Sequence, residues 1–268
     1  MLPIVVYVFI IFFFVPDPVS SQMPSPQYSQ EVPAPQYYGK VILNNYSKKA
    51  GMAPVVFDHW LHRAKFTCRI CHIDIGFAMK ARATSIRAAD NINGYYCGSC
   101  HDGKRVFEGE KIFTVCAENY TKNERKRCIR CHSKGSTEQR KYDYKTFTND
   151  LPQMPGNLID WEKAEADGKV KPIDFLEGIS YKREPLAAQD DFSIKVITWA
   201  SDVTFSHKKH TVWNGCEVCH PTIFPSSKIG TVKYSMFQIM EGEYCGVCHL
   251  SVAFSVYLCA KCHKSPVR

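Results

Sequence analysis

The start of this 268-residue chain has too little apolar sequence to cross a bilayer comfortably, because its opening apolar run extends only from Ile4 to Val15. No Lys or Arg precedes that run and no Ala-x-Ala cleavage site follows it. No cysteine lies close behind it, which excludes a lipoprotein anchor. Met1 to Ser21 is therefore expected to be an imperfect export signal, with an uncleaved N-terminal anchor as the competing reading and no transmembrane segment in the mature form. Residues 22–37 are rich in Pro, Ser and Gln and are expected to be a flexible tether. Histidine is scarce, ten residues in all, and so is cysteine outside one repeated pattern.

That pattern is Cys-x-x-Cys-His, and it occurs six times. The units are Cys68, Cys71, His72; Cys97, Cys100, His101; and Cys128, Cys131, His132. The other three are Cys216, Cys219, His220; Cys245, Cys248, His249; and Cys259, Cys262, His263. Cys-x-x-Cys-His is the attachment site of c-type haem. Two thiols three residues apart lie on one side of a helical turn. They can add to the two vinyl groups on one porphyrin edge while the next imidazole reaches the iron. Paired Cys-x-x-Cys units also build zinc sites, but zinc does not explain a His directly after every pair. A disulfide scaffold explains it less well still. Six covalently attached c-type haems are expected, on 12 of the 13 cysteines. The thirteenth, Cys116, is expected to be an inert or partly exposed thiol.

Haem also reframes the charge. A formal +8 would otherwise suggest nucleic acid or an anionic surface. With about −1 per ferric and −2 per ferrous haem, six haems take the protein from roughly +2 oxidised to roughly −4 reduced. The basic excess, including the run Lys122 to Arg127, then reads as propionate counter-charge or solvated surface. No nucleic-acid partner is expected.

The chain repeats itself at a spacing of 148 residues. Phe57, His59 and His62 map to Phe205, His207 and His210; the first Cys-x-x-Cys-His maps to the fourth and the second to the fifth, with Gly94, Tyr96 and Gly98 mapping to Gly242, Tyr244 and Gly246. The register breaks at the third unit, where the first repeat holds 17 more residues before Cys128. Residues 38–136 and 181–268 are thus expected to be two three-haem modules, joined by a linker and lead-in over 137–180. That stretch carries one expected helix, with Asp160 as N-cap, Trp161 to Asp167 helical and Gly168 as the stop. Trp161 and Phe175 are ordinary packing residues on this reading. So few residues per cofactor rarely build a core of side chains alone. The expected fold class is small, haem-packed and mostly coil with short α-helices.

Six low-spin haems need twelve axial ligands. Besides the six motif histidines there remain His59, His62, His207 and His210, in two equivalent Phe-x-His-x-x-His segments nine residues before a Cys. The paired imidazoles are about 5–6 Å apart at their roots, so haems bound to them would be nearly in contact. Phe-x-His-x-x-His followed by three Cys-x-x-Cys-His units resembles the three-haem cytochrome c7 module of the cytochrome c3 superfamily, here in tandem. The resemblance implies iron pairs His59 with His72, His62 with His101, His207 with His220, and His210 with His249. His132 and His263 are left holding a third haem from one side. In that family the last ligand comes from just before the second Cys-x-x-Cys-His, as His or Met. Repeat two offers Met236 and Met240; repeat one has Ala88 and Ile92 there, and its nearest sulfur is Met79. A Met/His haem sits at higher potential than bis-His neighbours.

The expected function is a non-catalytic electron carrier, exported and periplasmic, working between a quinol-oxidising membrane complex or another cytochrome and a periplasmic or outer-membrane acceptor. A reductase acting at an incompletely ligated haem is one alternative, and a haem subunit of a larger respiratory assembly is another.

Overall fold

A computed structural model describes residues 37–116, 128–132, 144–154, 159–184, 187, 189–196, 200–225 and 228–264. The expected export signal, most of the tether and Lys122 to Arg127 lie outside the described residues. Turns and bends dominate, broken by short helices, as a chain with one haem motif every few dozen residues should be. Small antiparallel hairpins were not expected. β1 (Lys40–Leu43) pairs with β2 (Val55–Asp58), β3 (Val106–Phe107) with β4 (Glu110–Lys111), and β5 (Phe192–Ile194) with β6 (Val203–Phe205). Their Val, Ile and Phe residues favour a pleated, half-buried surface, and β2 alternates half-buried with buried positions.

The repeat is visible in the backbone. α1 (His59–Arg63) follows β2 directly, and α5 (His207–Asn214) follows β6 in the same way. In α5 the Ser206 hydroxyl caps the first turn by accepting from Lys209 N at 3.4 Å, and Gly215 ends it at φ 63°. α2 (Ala88–Ile92) and α6 (Met236–Met240) also lie 148 apart. A β-carbon at Gly98 would sit 1.9 Å from the Asn91 carbonyl, and one at Gly246 would sit 1.9 Å from that of Ile239. Only glycine lets the second haem motif close so tightly on the preceding helix. Tyr96 and Tyr244 share an unfavourable left-handed backbone, φ 47° and 50°.

The modules differ at two places. The β1–β2 connection runs over 44–54 and the β5–β6 connection over 195–202, three residues shorter. After the second haem motif, Phe113 packs on His101 at 4.5 Å just as Phe254 packs on His249 at 4.3 Å. Phe113 stands twelve residues after its His and Phe254 five, so the β3–β4 hairpin takes up seven of the first module's extra residues.

The segment between the modules is more than a linker. It holds two helices, α3 (Tyr144–Thr148) and α4 (Trp161–Ala166), where one was expected. The second stands where Asp160 and Gly168 predicted it: Asp160 Oδ1 accepts from Lys163 N at 3.0 Å and Gly168 has φ 69°. Leu151, Ile159, Trp161, Ala164 and Val170 form the buried core together with Trp60 and Ala64 of module 1 and Trp213 of module 2. Trp161 is thus a core residue, while Phe175 is 43% exposed. Two more short α-helices among the described residues are α7 (Gly246–His249) and α8 (Cys259–Cys262).

Candidate haem-binding sites

Five of the six motifs are tight turns in which the His N–H donates to the carbonyl of the first Cys four residues back at 2.8–3.0 Å, as in His101 to Cys97 and His132 to Cys128. The first motif opens into a wider turn, Ile70–Asp74, closed by Ile75 N to the Ile70 carbonyl at 3.0 Å.

The imidazoles are oriented alike. Nine of the ten place Nδ1 on a backbone carbonyl: His59 on Gly39 at 2.5 Å, His62 on Asp58 at 3.3 Å, His72 on Phe77 at 2.8 Å, His132 on Ala53 at 2.6 Å, and His207 on Asp190 at 3.0 Å. His210 lies on Ser206 at 2.7 Å, His220 on Phe224 at 2.8 Å, His249 on Phe254 at 2.9 Å and His263 on Ser201 at 2.6 Å. His101 is the exception: its buried Nδ1 makes no bond of normal geometry, although the Phe113 carbonyl favours its protonated form. A carbonyl on Nδ1 puts the proton there and leaves the Nε2 lone pair as the ligating atom. Burial holds His59 and His249 down to about 4 and His62 down to about 3, and lowers His72, His101 and His210 too. At neutral pH these rings carry no charge, the form that binds metal.

Three expected pairs come together. Ring centres lie 6.4 Å apart for His59 and His72, which are coplanar within 3°, 6.3 Å for His62 and His101, and 6.2 Å for His210 and His249. Two metal–nitrogen bonds of about 2 Å, plus about 1.1 Å from each ring centre to Nε2, give roughly 6.2 Å. The gap fits one iron between each pair. His207 and His220 make no such ring contact among the described residues. His207 lies against Phe192 at 5.3 Å and Phe205 at 5.1 Å, and His220 against Phe224 at 6.1 Å. His207 keeps the backbone partner equivalent to that of His59, because Asp190 stands two residues before the partner of Phe205 as Gly39 stands two before the partner of Phe57; the three-residue shorter connection only shifts the numbering.

His132 and His263 occupy equivalent places. Their Nδ1 partners, Ala53 and Ser201, are 148 apart, and each motif bonds to or bridges the strand that precedes the paired histidines. No second imidazole faces either one among the described residues. Met236 is 47% exposed and Met240 half-buried, both on α6. Met79 is brought to a different place: it lines a cleft with His72, Phe77, Glu217, Val218 and Thr222, and no described contact joins it to His132. Cys116 was expected to be an inert thiol. It lies against α2, with Asn91 Nδ2 donating to its Sγ at 3.9 Å, and it is close enough to Cys97 and Cys131 to disfavour their thiolates. Its odd position in the sequence gave no sign of this placement.

The motif thiols form a continuous series. Burial pushes Cys71, Cys97 and Cys248 up to about 12, and Cys131, Cys219 and Cys245 up to about 11. Neighbouring thiols add to each shift. Cys97 feels Cys131, and Cys71 feels Cys100 and Cys97. Cys219 and Cys248 of module 2 both feel Cys68 of module 1, and Cys245 feels Cys262. Buried thiols in pairs, with neutral imidazoles spaced for a six-coordinate metal, are the donor set of c-type haem.

The family described as "Cytochrome c7 and related cytochrome c" matches residues 55–140 and 203–264, more than half of the chain. This chain is a member of that family. As a multihaem c-type cytochrome it belongs among electron-transfer proteins. Among solved structures it is similar to a c7-type three-haem cytochrome domain, at 32% identity over 29% of this chain and 95% of that one, with a TM-score of 0.27. It is also similar to the C-terminal and N-terminal hexahaem fragments of GSU1996, both at 23% identity. They cover 84% and 85% of this cytochrome and 96% and 99% of their own chains, with TM-scores of 0.26 and 0.25. No curated protein matches it. No helix among the described residues is long and apolar enough to cross a membrane.

Proposed function

We propose that this cytochrome binds six c-type haems, one per Cys-x-x-Cys-His, and relays electrons without catalysing a reaction of its own. The observation that carries the reading is the unbroken succession of neighbouring motif thiols, from Cys131 through Cys97, Cys71 and Cys68 to Cys219, Cys248, Cys245 and Cys262. Bound there, the haems supply one-electron redox chemistry. The chain's part is to hold them. Six Cys pairs anchor the porphyrin edges, and the backbone carbonyls on Nδ1 aim each imidazole. Apolar burial keeps the rings neutral and water out. His59 with His72, His62 with His101, His207 with His220, and His210 with His249 are the proposed axial pairs, with His132 and His263 each holding a third haem. Residues 38–136 and 181–268 are the proposed modules. Covalent haem attachment occurs outside the cytoplasm, which supports export to the periplasm by residues 1–21. The partners would be a quinol-oxidising membrane complex or other cytochromes on one side and a periplasmic or outer-membrane acceptor on the other.

For the haem of His263 the proposed last ligand is Met236 or Met240. In module 1 the equivalent positions are Ala88 and Ile92, and Met79 lies by His72. That difference favours a second reading, an open third haem able to reduce a small oxyanion or metal species. The visible and near-infrared spectrum of the oxidised protein, with a haem count, separates the two. A relay closed by methionine gives an all-low-spin spectrum with a methionine–iron charge-transfer band, which Met236→Leu or Met240→Leu abolishes. A high-spin fraction near one haem in six that binds carbon monoxide moves the assignment to the open site, and Ile92→Met should close it. Absence of haem absorption would sink both.

A further inference from the structure

Arg63 lies where the two modules meet. It directly follows His62, and its guanidinium is held between two indoles, 4.9 Å from Trp161 and 5.1 Å from Trp213. Nη1 donates to the carbonyl of Val252, three residues after His249 of the other module. Nε is buried with no hydrogen-bond partner, and Arg63 makes no ion pair among the described residues. With His59, Trp60, Ser251 and Val252 it lines one cleft; His72 lines another with Glu217 and Val218. Both proposed ligands of the first haem therefore face module 2.

The charge there is permanent, because a guanidinium stays protonated even when buried. Its electrostatic neighbours are the thiols of Cys68 and Cys248, one from each module, and the carboxylate of Glu165. Haem cysteines mark the vinyl edge of a porphyrin, and propionates leave from the opposite edge. A cation beside Cys68 and Cys248 is thus not the propionate partner of either haem, and its charge is felt by the iron. Oxidation adds one positive charge at the iron, which a nearby fixed cation opposes in a low-dielectric site. The residue 148 positions on is Thr211, which carries no charge.

We propose that Arg63 is a potential-setting residue at the module junction, raising the reduction potentials of the haems held by Cys68–His72 and Cys245–His249 above those of haems without such a cation. This rests on the six-haem reading and is tested on the full-length holoprotein. The haem count of the native protein, by mass and haemochrome, comes first; fewer than six would remove that reading by itself. Spectroelectrochemical titration, with low-spin EPR or haem-methyl NMR to resolve the sites, then tests Arg63. Arg63→Met is expected to move two components to lower potential with the others and the low-spin spectrum unchanged, while Arg63→Lys, which keeps the charge, stays near native. Native-like titration of Arg63→Met, or equal shifts in the Met and Lys variants, overturns the proposal. If Arg63→Met fails to load haem, the native protein still decides. The Cys68–His72 site must titrate above its repeat counterpart Cys216–His220, and the reverse order overturns the proposal.

Discussion

Module 1 and module 2 are built from the same parts but sit in different surroundings. Both aim imidazoles from the turn after a hairpin strand, both close a haem motif on a short helix through a glycine, and both tie the last motif histidine to the loop before that strand. They diverge where a part faces something outside the repeat. Module 1 carries Arg63 at the junction and Ala88 and Ile92 on α2; module 2 has Thr211, Met236 and Met240 in the same places. His59 and His72 are stacked, while His207 and His220 make no such ring contact among the described residues. The cysteine and histidine arrangement recurs in both copies, whereas the charge at the junction and the side chains at the α2 and α6 positions differ.

The largest expected effect falls on what the modules share. Trp161 packs with Trp60 of one module and lies over Arg63 beside Trp213 of the other. Trp161→Ala should cost about 3–5 kcal/mol and lower the thermal midpoint of both modules together, followed by circular dichroism and by the Soret band. Loss of one module alone would show that the inter-repeat segment is only a tether after all.

A smaller effect tests the equality of the copies. Gly98→Ala and Gly246→Ala each drive a methyl into a carbonyl at 1.9 Å. Each should destabilise by about 1–3 kcal/mol, and by similar amounts, in denaturant titrations of the holoprotein. A tolerated change in one copy would break the equivalence of α2 and α6.

The mildest prediction concerns pH and does not divide the modules. His59, His62 and His249 have folded values of about 4, 3 and 4 against an ordinary 6.5. Between those values the unfolded chain binds more protons than the folded one, so stability is full above pH ~6.5 and falls as the pH drops toward ~3. Denaturant midpoints at pH 7.5, 5.5 and 4 should decline in that order. A midpoint that rises on acidification would show these rings to be charged in the folded state.

Much of the site was legible in the sequence, because haem attachment and axial ligation use local patterns. Two thiols and an imidazole must fall within one turn, so Cys-x-x-Cys-His appears in five consecutive residues. His59 and His62 read as a pair for the same reason, and Asp160, Trp161 and Gly168 mark a helix with its own cap and stop. Other features had no such signature. Tyr144–Thr148 is only five residues long, too short for an apolar helical period to show, and the β1–β2 and β5–β6 hairpins have long connections in place of a two-residue turn. The nearness of Met79 to His72, and of Cys116 to α2, depends on segments far apart in the chain.

Sequence alone determined the chemistry each segment can do and the number of motifs that offer it, since covalent attachment and ligand type depend on neighbours a few residues away. Only the tertiary structure decided which sites adjoin. Cys68 lies within electrostatic reach of Cys219 and Cys248, and Arg63 reaches Val252, because the core around Trp60, Trp161 and Trp213 buries its apolar surface by drawing the two repeats together. That choice is made by packing across more than a hundred residues, which no local pattern encodes.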